Sequence, residues 1–389
     1  MAPERTDAGS RKRARWLRWA ILGIVLAGMT LLVTAHQTGR GSGRWTGVDF
    51  LCPFGGLETF YSLLTGDGFL KHTAASSVIL LAGMILMAVI WRRSFCGNLC
   101  PLGTLQGIFG AAGRRLLRRR LVVPRGVDRV ARYLKYAVLA WFALWTWQAA
   151  ELVLRPYDPW VAWAHLTSAD LLSTYLIGLI VLVVSLAGSL AYDRFFCKYL
   201  CPAGALLALL SRFSVLGIRR DAGACIDCGC CDKACMMNID VATADVVTSA
   251  ECISCNECVN ACPVKGALQV ETPGGRRATA LAATGVVVAV MIAVVGVTTL
   301  TGSFDWRQPG LAEAMAQTGA ASGGTFDPML IKGYMSLQEI GDATGVPGEE
   351  LSAVFGVPAE ELGAPMREIK DKYGFTPEDV RAWLVERLQ

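Results

Sequence analysis

Histidine is nearly missing from this sequence: 389 residues contain only three, His36, His72 and His165. A membrane b-type haem needs paired histidines on facing helices. All three fall in expected outer loops or at the outer end of an apolar segment, so that cofactor is excluded. Acids are missing from one long stretch, residues 92–133, where ten arginines face a single carboxylate, Asp128. Loops 36–72 and 155–170 are nearly balanced by comparison. The formal charge of +5 is therefore a topology signal before it is a nucleic-acid signal.

Long apolar runs are abundant. Hydrophobic residues make up 53% of the chain and the mean hydropathy is +0.42, values that place it among membrane proteins. Five segments have the length and composition of spans: 16–35, 73–91, 134–154, 171–191 and 280–300. The first follows a basic tail, residues 1–15. Val33-Thr34-Ala35 resembles a cleavage site, but the apolar run is long for a signal peptide, so an uncleaved anchor is expected. The positive-inside rule puts the arginine-rich loop on the cytoplasmic side, and with five spans residues 301–389 end outside. The arginines near 114–120 read as an interfacial stretch beside anionic lipid.

Twelve of the fourteen cysteines follow two patterns. Between residues 225 and 262 the run Cys-x2-Cys-x2-Cys-x3-Cys occurs twice, as Cys225, Cys228, Cys231, Cys235 and Cys252, Cys255, Cys258, Cys262. This is the spacing of a bacterial two-cluster ferredoxin, in which the fourth cysteine of each run ligates the other cluster. The expected sets are Cys225, Cys228, Cys231 with Cys262, and Cys252, Cys255, Cys258 with Cys235, holding two [4Fe–4S] clusters. Zinc ribbons use separated pairs of Cys-x2-Cys, not triple runs closed by x3-Cys-Pro. Cys230 reads as a ninth, non-ligating thiol, and Met236 stands where Pro263 follows the second run. Such thiols imply a reducing, cytoplasmic face for the segment.

The second pattern is an internal repeat. SFCGNLCPLG carries Cys96 and Cys100, and FFCKYLCPAG carries Cys197 and Cys201. The x3 spacing puts both thiols of a pair on one face of a helical turn, which proline and glycine are expected to end. Four thiols at one membrane surface make a further metal or cluster site, a redox dithiol, or plain helix ends. Cys52 stands apart and is assigned no role.

Two Cys-x3-Cys-Pro hairpins followed by a double ferredoxin motif on a multi-span chain resemble the NapH-type membrane polyferredoxins, related to the electron-transferring core of NosR-type proteins. The resemblance covers roughly residues 45–272. It implies electron exchange between membrane quinone and an iron–sulfur chain, with partner redox subunits. Only a short basic tail precedes Trp16, and TGAASGGT at 318–325 has the composition but not the order of a flavin-attachment site, so covalent FMN is not expected. The helical C-terminus also differs from the β-rich end of the copper-oxidase assembly relatives. Titratable groups that would border a quinone headgroup are His72, His165 and Glu151, with Glu58 and Asp158 nearby. An outer quinone site would lie about 30 Å from the cytoplasmic clusters, so a cytoplasmic-side site is an equal alternative.

The expected fold is therefore mainly α: a polytopic helical membrane protein of about five spans, with an inserted ferredoxin-like α+β module and a small C-terminal helical domain. The expected domains are a tail at 1–15, a four-span region at 16–191, a cytoplasmic ferredoxin domain at 192–272, a fifth span at 273–301, a flexible linker at 302–329 and an outer helical unit at 330–389. That last unit carries a capping box at Ser336 and Glu339 and an eleven-residue repeat, GVPGEEL and GVPAEEL. The expected function is quinone-linked electron relay in a plasma membrane, with no nucleic acid bound. A metal-handling maturation factor and a redox-sensing regulator are the rival readings.

Overall fold

Each of the five apolar segments folds as a helix: Ala8–Gln37, Ala75–Trp91, Leu134–Ala149, Leu176–Ala191 and Ala280–Leu300. The computed structural model describes residues 7–37, 56, 75–117, 123–149, 154–168, 171–272, 274–304, 306, 310–317 and 328–388. By length and composition, the first and last of these helices can cross a bilayer. The other three have 16 or 17 residues, about 24–26 Å of helix, short of a hydrocarbon core of about 30 Å. Ile24, Leu31, Leu86, Trp141, Leu144, Ile180, Val183, Ile292 and Val297 lie exposed along the five helices. An apolar belt of that extent marks contact with something other than water.

The first helix starts at Ala8, not at Trp16, so most of the expected basic tail is helical. Asp7 caps this start by accepting from the Gly9 and Ser10 N–H groups at 3.1 and 2.9 Å, and Arg15 and Arg18 tie the helix to Glu257 at 3.0 and 2.9 Å. Helix Ala75–Trp91 packs on Ala280–Leu300, and helix Pro101–Leu116 packs along Leu176–Ala191.

Between the fourth and fifth apolar helices lies an antiparallel sheet of four strands, β1 (Gly217–Arg220), β2 (Val246–Val247), β3 (Leu268–Glu271) and β4 (Arg277–Ala278), ordered β2-β1-β3-β4. Ile218 pairs with Val247 on one side and with Val270 on the other. All three are buried, so this register gives the sheet its apolar face. The segment entering the sheet is joined to the helical frame, because Val215 and Leu216 donate from their backbone N–H groups to the carbonyls of Val89 and Ile90 at 3.0 and 2.9 Å.

The C-terminal unit has its own core, built from Ile331, Leu337, Ile340, Leu351, Val357, Met366, Val380 and Leu384 among others. Leu311, fully buried in it, heads helix Leu311–Gln317. Part of the linker expected at 302–329 is therefore packed structure. Ser336 caps helix Leu337–Thr344 by accepting from the Glu339 N–H at 3.2 Å. Of the eleven-residue repeat, the first copy forms helix Gly348–Phe355 and the second only a single 3-10 turn, Ala359–Glu361.

Candidate metal centres

The two cysteine runs between 225 and 262 fold alike. In each loop the residues two and four after the first cysteine adopt left-handed conformations. These are Asp227 (φ 49°) and Gly229 (65°) in the first, and Ser254 (51°) and Asn256 (58°) in the second. Alternating hand turns successive backbone N–H groups into one concavity, an anion-binding shape. A short helix follows each loop, Cys230–Ala234 and Glu257–Ala261, and ends in an extended cysteine, Cys235 and Cys262.

These two helices pack on each other and carry each terminal cysteine across to the other loop. Cys225, Cys228, Cys231 and Cys262 line one small cavity, which Cys230 also borders. Cys235 and Cys258 lie within electrostatic reach of Cys252 and Cys255. Burial pushes the Cys252 thiol up to about 12. Burial first, then the neighbouring sulfurs, raise Cys258 well above the ordinary thiol range. Sulfurs so crowded need a bound cation or metal to stay ionised.

The two foursomes differ in surroundings. Around the first, Cys228 is exposed, and carboxylates touch the sulfurs: Asp227 Oδ1 lies 3.5 Å from Cys225 Sγ and Asp232 Oδ1 lies 4.0 Å from Cys231 Sγ. The second is pressed against the helical frame. Asn98 donates to the Ser254 carbonyl at 3.2 Å, and the Ser254 hydroxyl donates to the Trp91 carbonyl at 3.1 Å. Glu251, just before Cys252, accepts from Arg93 at 3.0 Å and also from Lys135. Removing one partner of a buried pair such as Arg93–Glu251 costs about 3–5 kcal/mol.

The first Cys-x3-Cys-Pro hairpin sits directly against this second loop, and the second hairpin packs on the first. In both, the first cysteine lies on a five-residue helix, Ser94–Asn98 or Phe195–Tyr199. The proline does not end that turn, as expected from sequence, but begins the next helix. Cys100 and Cys201 are the N-caps of Pro101–Leu116 and Pro202–Leu210, and their sulfurs accept from the Gly103 and Gly204 N–H groups at 3.4 and 3.2 Å. Proline suits the first helical position because its missing donor is not needed there.

The hairpins brace each other crosswise. Arg194 of the second donates to the Cys96 carbonyl at 2.6 Å, and Arg93 of the first donates to the Cys197 carbonyl at 3.2 Å. Each guanidinium lies where a Cβ on Gly103 or Gly204 would stand, at 2.8 and 2.4 Å, which explains the glycine of the repeat. Gln106 donates to Cys197 Sγ at 3.2 Å. Cys201 lies within electrostatic reach of Cys197, Cys96 and Cys100, so the structure brings the four thiols together. Two helix N-termini and two buried arginines around them suit an anionic, thiolate-bound group.

Among the described residues no three or more His, Cys, Asp or Glu side chains are placed to hold one metal ion. Sulfurs around a single zinc stand about 3.8 Å apart, as Zn–S bonds of about 2.3 Å in a tetrahedron require. A cubane spaces its four ligands more widely. The crossed thiols and the inward N–H groups of the loops fit that larger anionic body.

Of the three quinone candidates, the structure places one, His165. His72 and Glu151 lie outside the described residues. His165 is buried, its Nδ1 2.9 Å from the Val161 carbonyl and its ring 4.2 Å from that of Tyr175. Both neighbours share a small core with Val33, near the far end of the first helix from Arg18. The fifteen residues from Arg18 to Val33 span about 22 Å of helix.

The family described as "4Fe-4S binding domain" matches this chain twice, at residues 73–121 and 174–220. Those are the two hairpins, so the internal repeat itself carries an iron–sulfur signature. YccM of Escherichia coli (strain K12) is 34% identical over 281 residues, 68% of this chain and 75% of that protein. The chain belongs to the NapH-type polyferredoxin family. Ferredoxin-type protein NapH of Escherichia coli (strain K12) is 24% identical over 67% of this chain and 94% of its own length. The methylamine utilization ferredoxin-type protein MauN of Methylobacillus flagellatus is 29% identical over 57% of this chain and 76% of its own. No solved structure matches. This polyferredoxin binds [4Fe–4S] clusters and transfers electrons, and its two long apolar helices are those of a membrane protein.

The sequence pointed to the cysteines but not to what surrounds them. Arg93 reads there as a topology charge and Arg18 and Arg194 are given no role, yet all three are nearly fully buried. The one available signal was that Arg93 and Arg194 stand three residues before the first cysteine of each repeat.

Proposed function

We propose that this polyferredoxin relays single electrons between the membrane quinone pool and a partner redox protein. One [4Fe–4S] cluster is held by Cys225, Cys228, Cys231 and Cys262, and a second by Cys252, Cys255, Cys258 and Cys235. Cys96, Cys100, Cys197 and Cys201 form a third redox site within the helical frame. The observation that carries this reading is the contact between the second ferredoxin loop and the first hairpin. There the Asn98 side chain donates to the Ser254 carbonyl and the Gly97 backbone meets that of Ile253, so the two thiol-bearing segments are in contact. A bound cubane supplies a one-electron couple without bond making.

The protein's residues hold that couple in place. Left-handed turns aim N–H groups at the sulfurs, Gly103 and Gly204 donate to Cys100 and Cys201, and Arg93 and Arg194 offset negative charge. The frame is read as five spans with the ferredoxin module cytoplasmic and the C-terminal unit outside. The exposed apolar belt on all five helices and the arginine-rich 92–133 loop support that reading. An electron partner fits the exposed face at Cys228, and by its family the protein works with other redox subunits.

Anaerobic addition of a quinol analogue to purified protein, followed by paramagnetic resonance, tests the relay. The expected result is rapid appearance of reduced-cluster signals. A silent spectrum from material with a full complement of iron would remove the quinone link.

A further inference from the structure

The frame surrounds the second foursome with buried cations, each from a different element. Arg18, on the first helix, is 2% exposed and lies near Cys255. Arg92, at the end of helix Ala75–Trp91, is 7% exposed, lies near Cys252 and donates to the Thr248 carbonyl at 2.9 Å. Lys198, on helix Phe195–Tyr199, is fully buried near Cys235, its Nζ 3.7 Å from the centre of the Tyr192 ring. Glu257 offsets part of this charge, but Arg15 and Arg18 share it.

The first foursome has a mixed and more open setting. Arg220 is hydrogen-bonded to the Cys225 sulfur and also paired with Asp227 at 3.3 Å, the exposed Lys233 lies near Cys228, and the carboxylates of Asp227 and Asp232 approach Cys225 and Cys231.

Taking up an electron makes a thiolate-ligated cubane one unit more negative, with no bond made and no proton bound. Nearby cations favour that state and nearby carboxylates oppose it. Burial alone works the other way, since it penalises the more highly charged form. The cations prevail because they are themselves shielded from water and counter-ions, whereas charges at the exposed site are screened.

We infer that Arg18, Arg92 and Lys198 make the cluster at Cys235, Cys252, Cys255 and Cys258 the more easily reduced of the two, so that electrons rest on the frame side. The inference rests on the ligand sets proposed above. In the relay, a hydroquinone gives up two electrons one at a time and releases two protons. Each electron settles on the frame-side couple before it passes to the exposed one, so the outward step runs uphill unless a partner draws the electron away.

The experiment is an anaerobic redox titration of the full chain in detergent, followed by paramagnetic resonance, with iron and acid-labile sulfide counted in every sample. Lys198→Met is expected to lower the upper of the two midpoints that belong to the ferredoxin module. At a fixed potential its reduced-to-oxidised ratio falls at least tenfold, equivalent to 59 mV for a one-electron couple. Lys198→Arg, which keeps the charge, is expected to restore the midpoint, and Asp227→Asn to raise the lower midpoint. Full iron with an unmoved upper midpoint in Lys198→Met, or a shift of the lower one instead, overturns the inference. If Lys198→Met loses iron, Arg92→Gln is titrated in its place under the same criterion. Wild-type protein with far fewer than eight irons would instead sink the ligand assignment.

Discussion

At position 97 only a hydrogen fits. A Cβ there would stand 2.0 Å from the Ile253 carbonyl oxygen and 3.3 Å from the Cys255 nitrogen. Gly97 is thus where the backbone of the first hairpin touches the second ferredoxin loop. Arg18 completes the joint by donating to the Gly97 carbonyl at 3.1 and 2.8 Å. The clash is with backbone, which cannot swing aside as a side chain can. Gly97→Ala is expected to cost about 3 kcal/mol, the upper part of the range for overpacking. It should show as a lower thermal midpoint in detergent and as loss of the iron bound by the second foursome, with the first retained. An unchanged midpoint would mean that the loop and the hairpin do not meet here. The matching position in the second hairpin is Lys198, buried with its own task. The repeat is symmetric in sequence, yet only one copy carries the ferredoxin loop.

Elements differ in what holds them together, and that sets what iron removal does. The core of the inserted module consists of Ile218, Val241, Val247 and Leu268 with three cysteines, Cys231, Cys252 and Cys258. A core so small, with proposed cluster ligands as part of its wall, is expected to depend on what those ligands hold. The C-terminal unit instead has fourteen buried apolar residues and no cysteine. Stripping iron with a chelator and oxidant should raise hydrogen exchange across 217–271 by orders of magnitude while 337–388 keeps its protection. Equal loss in both would show that the two units unfold as one.

Sequence legibility follows the same division. Cysteine spacing and apolar runs revealed the module and the five helices, because ligand geometry and span length leave local periods in the chain. The crossed bracing by Arg93 and Arg194 leaves no such period, since each guanidinium bonds about a hundred residues away. Proline was misread as a stop because the same residue serves the first turn of a following helix equally well. The linker was misread because a Gly/Ala/Ser-rich composition does not record that Leu311 finds a core to enter.

Across the whole molecule, the last apolar helix decides which compartment the C-terminal unit meets. Asn256 donates to the Ala280 carbonyl at 3.2 Å and to the Thr284 hydroxyl at 3.4 Å, so the helix starts against the second ferredoxin loop. Its 21 residues then rise about 31 Å, the thickness of a hydrocarbon core. Only four residues of its body are buried, all in its first eight positions, so the remainder is free to face lipid. If the ferredoxin module stays in the reducing compartment its thiols require, residues after Leu300 emerge on the opposite side. Phosphatase fused after Gln389 should then be active in whole cells and a fluorescent-protein fusion dark, while fusions ending at Thr272 should behave the opposite way. A bright C-terminal fusion would require an even number of crossings. With the Thr272 fusion also bright, that result would mean helix Ala280–Leu300, the apolar helix between the module and the C-terminal unit, does not cross.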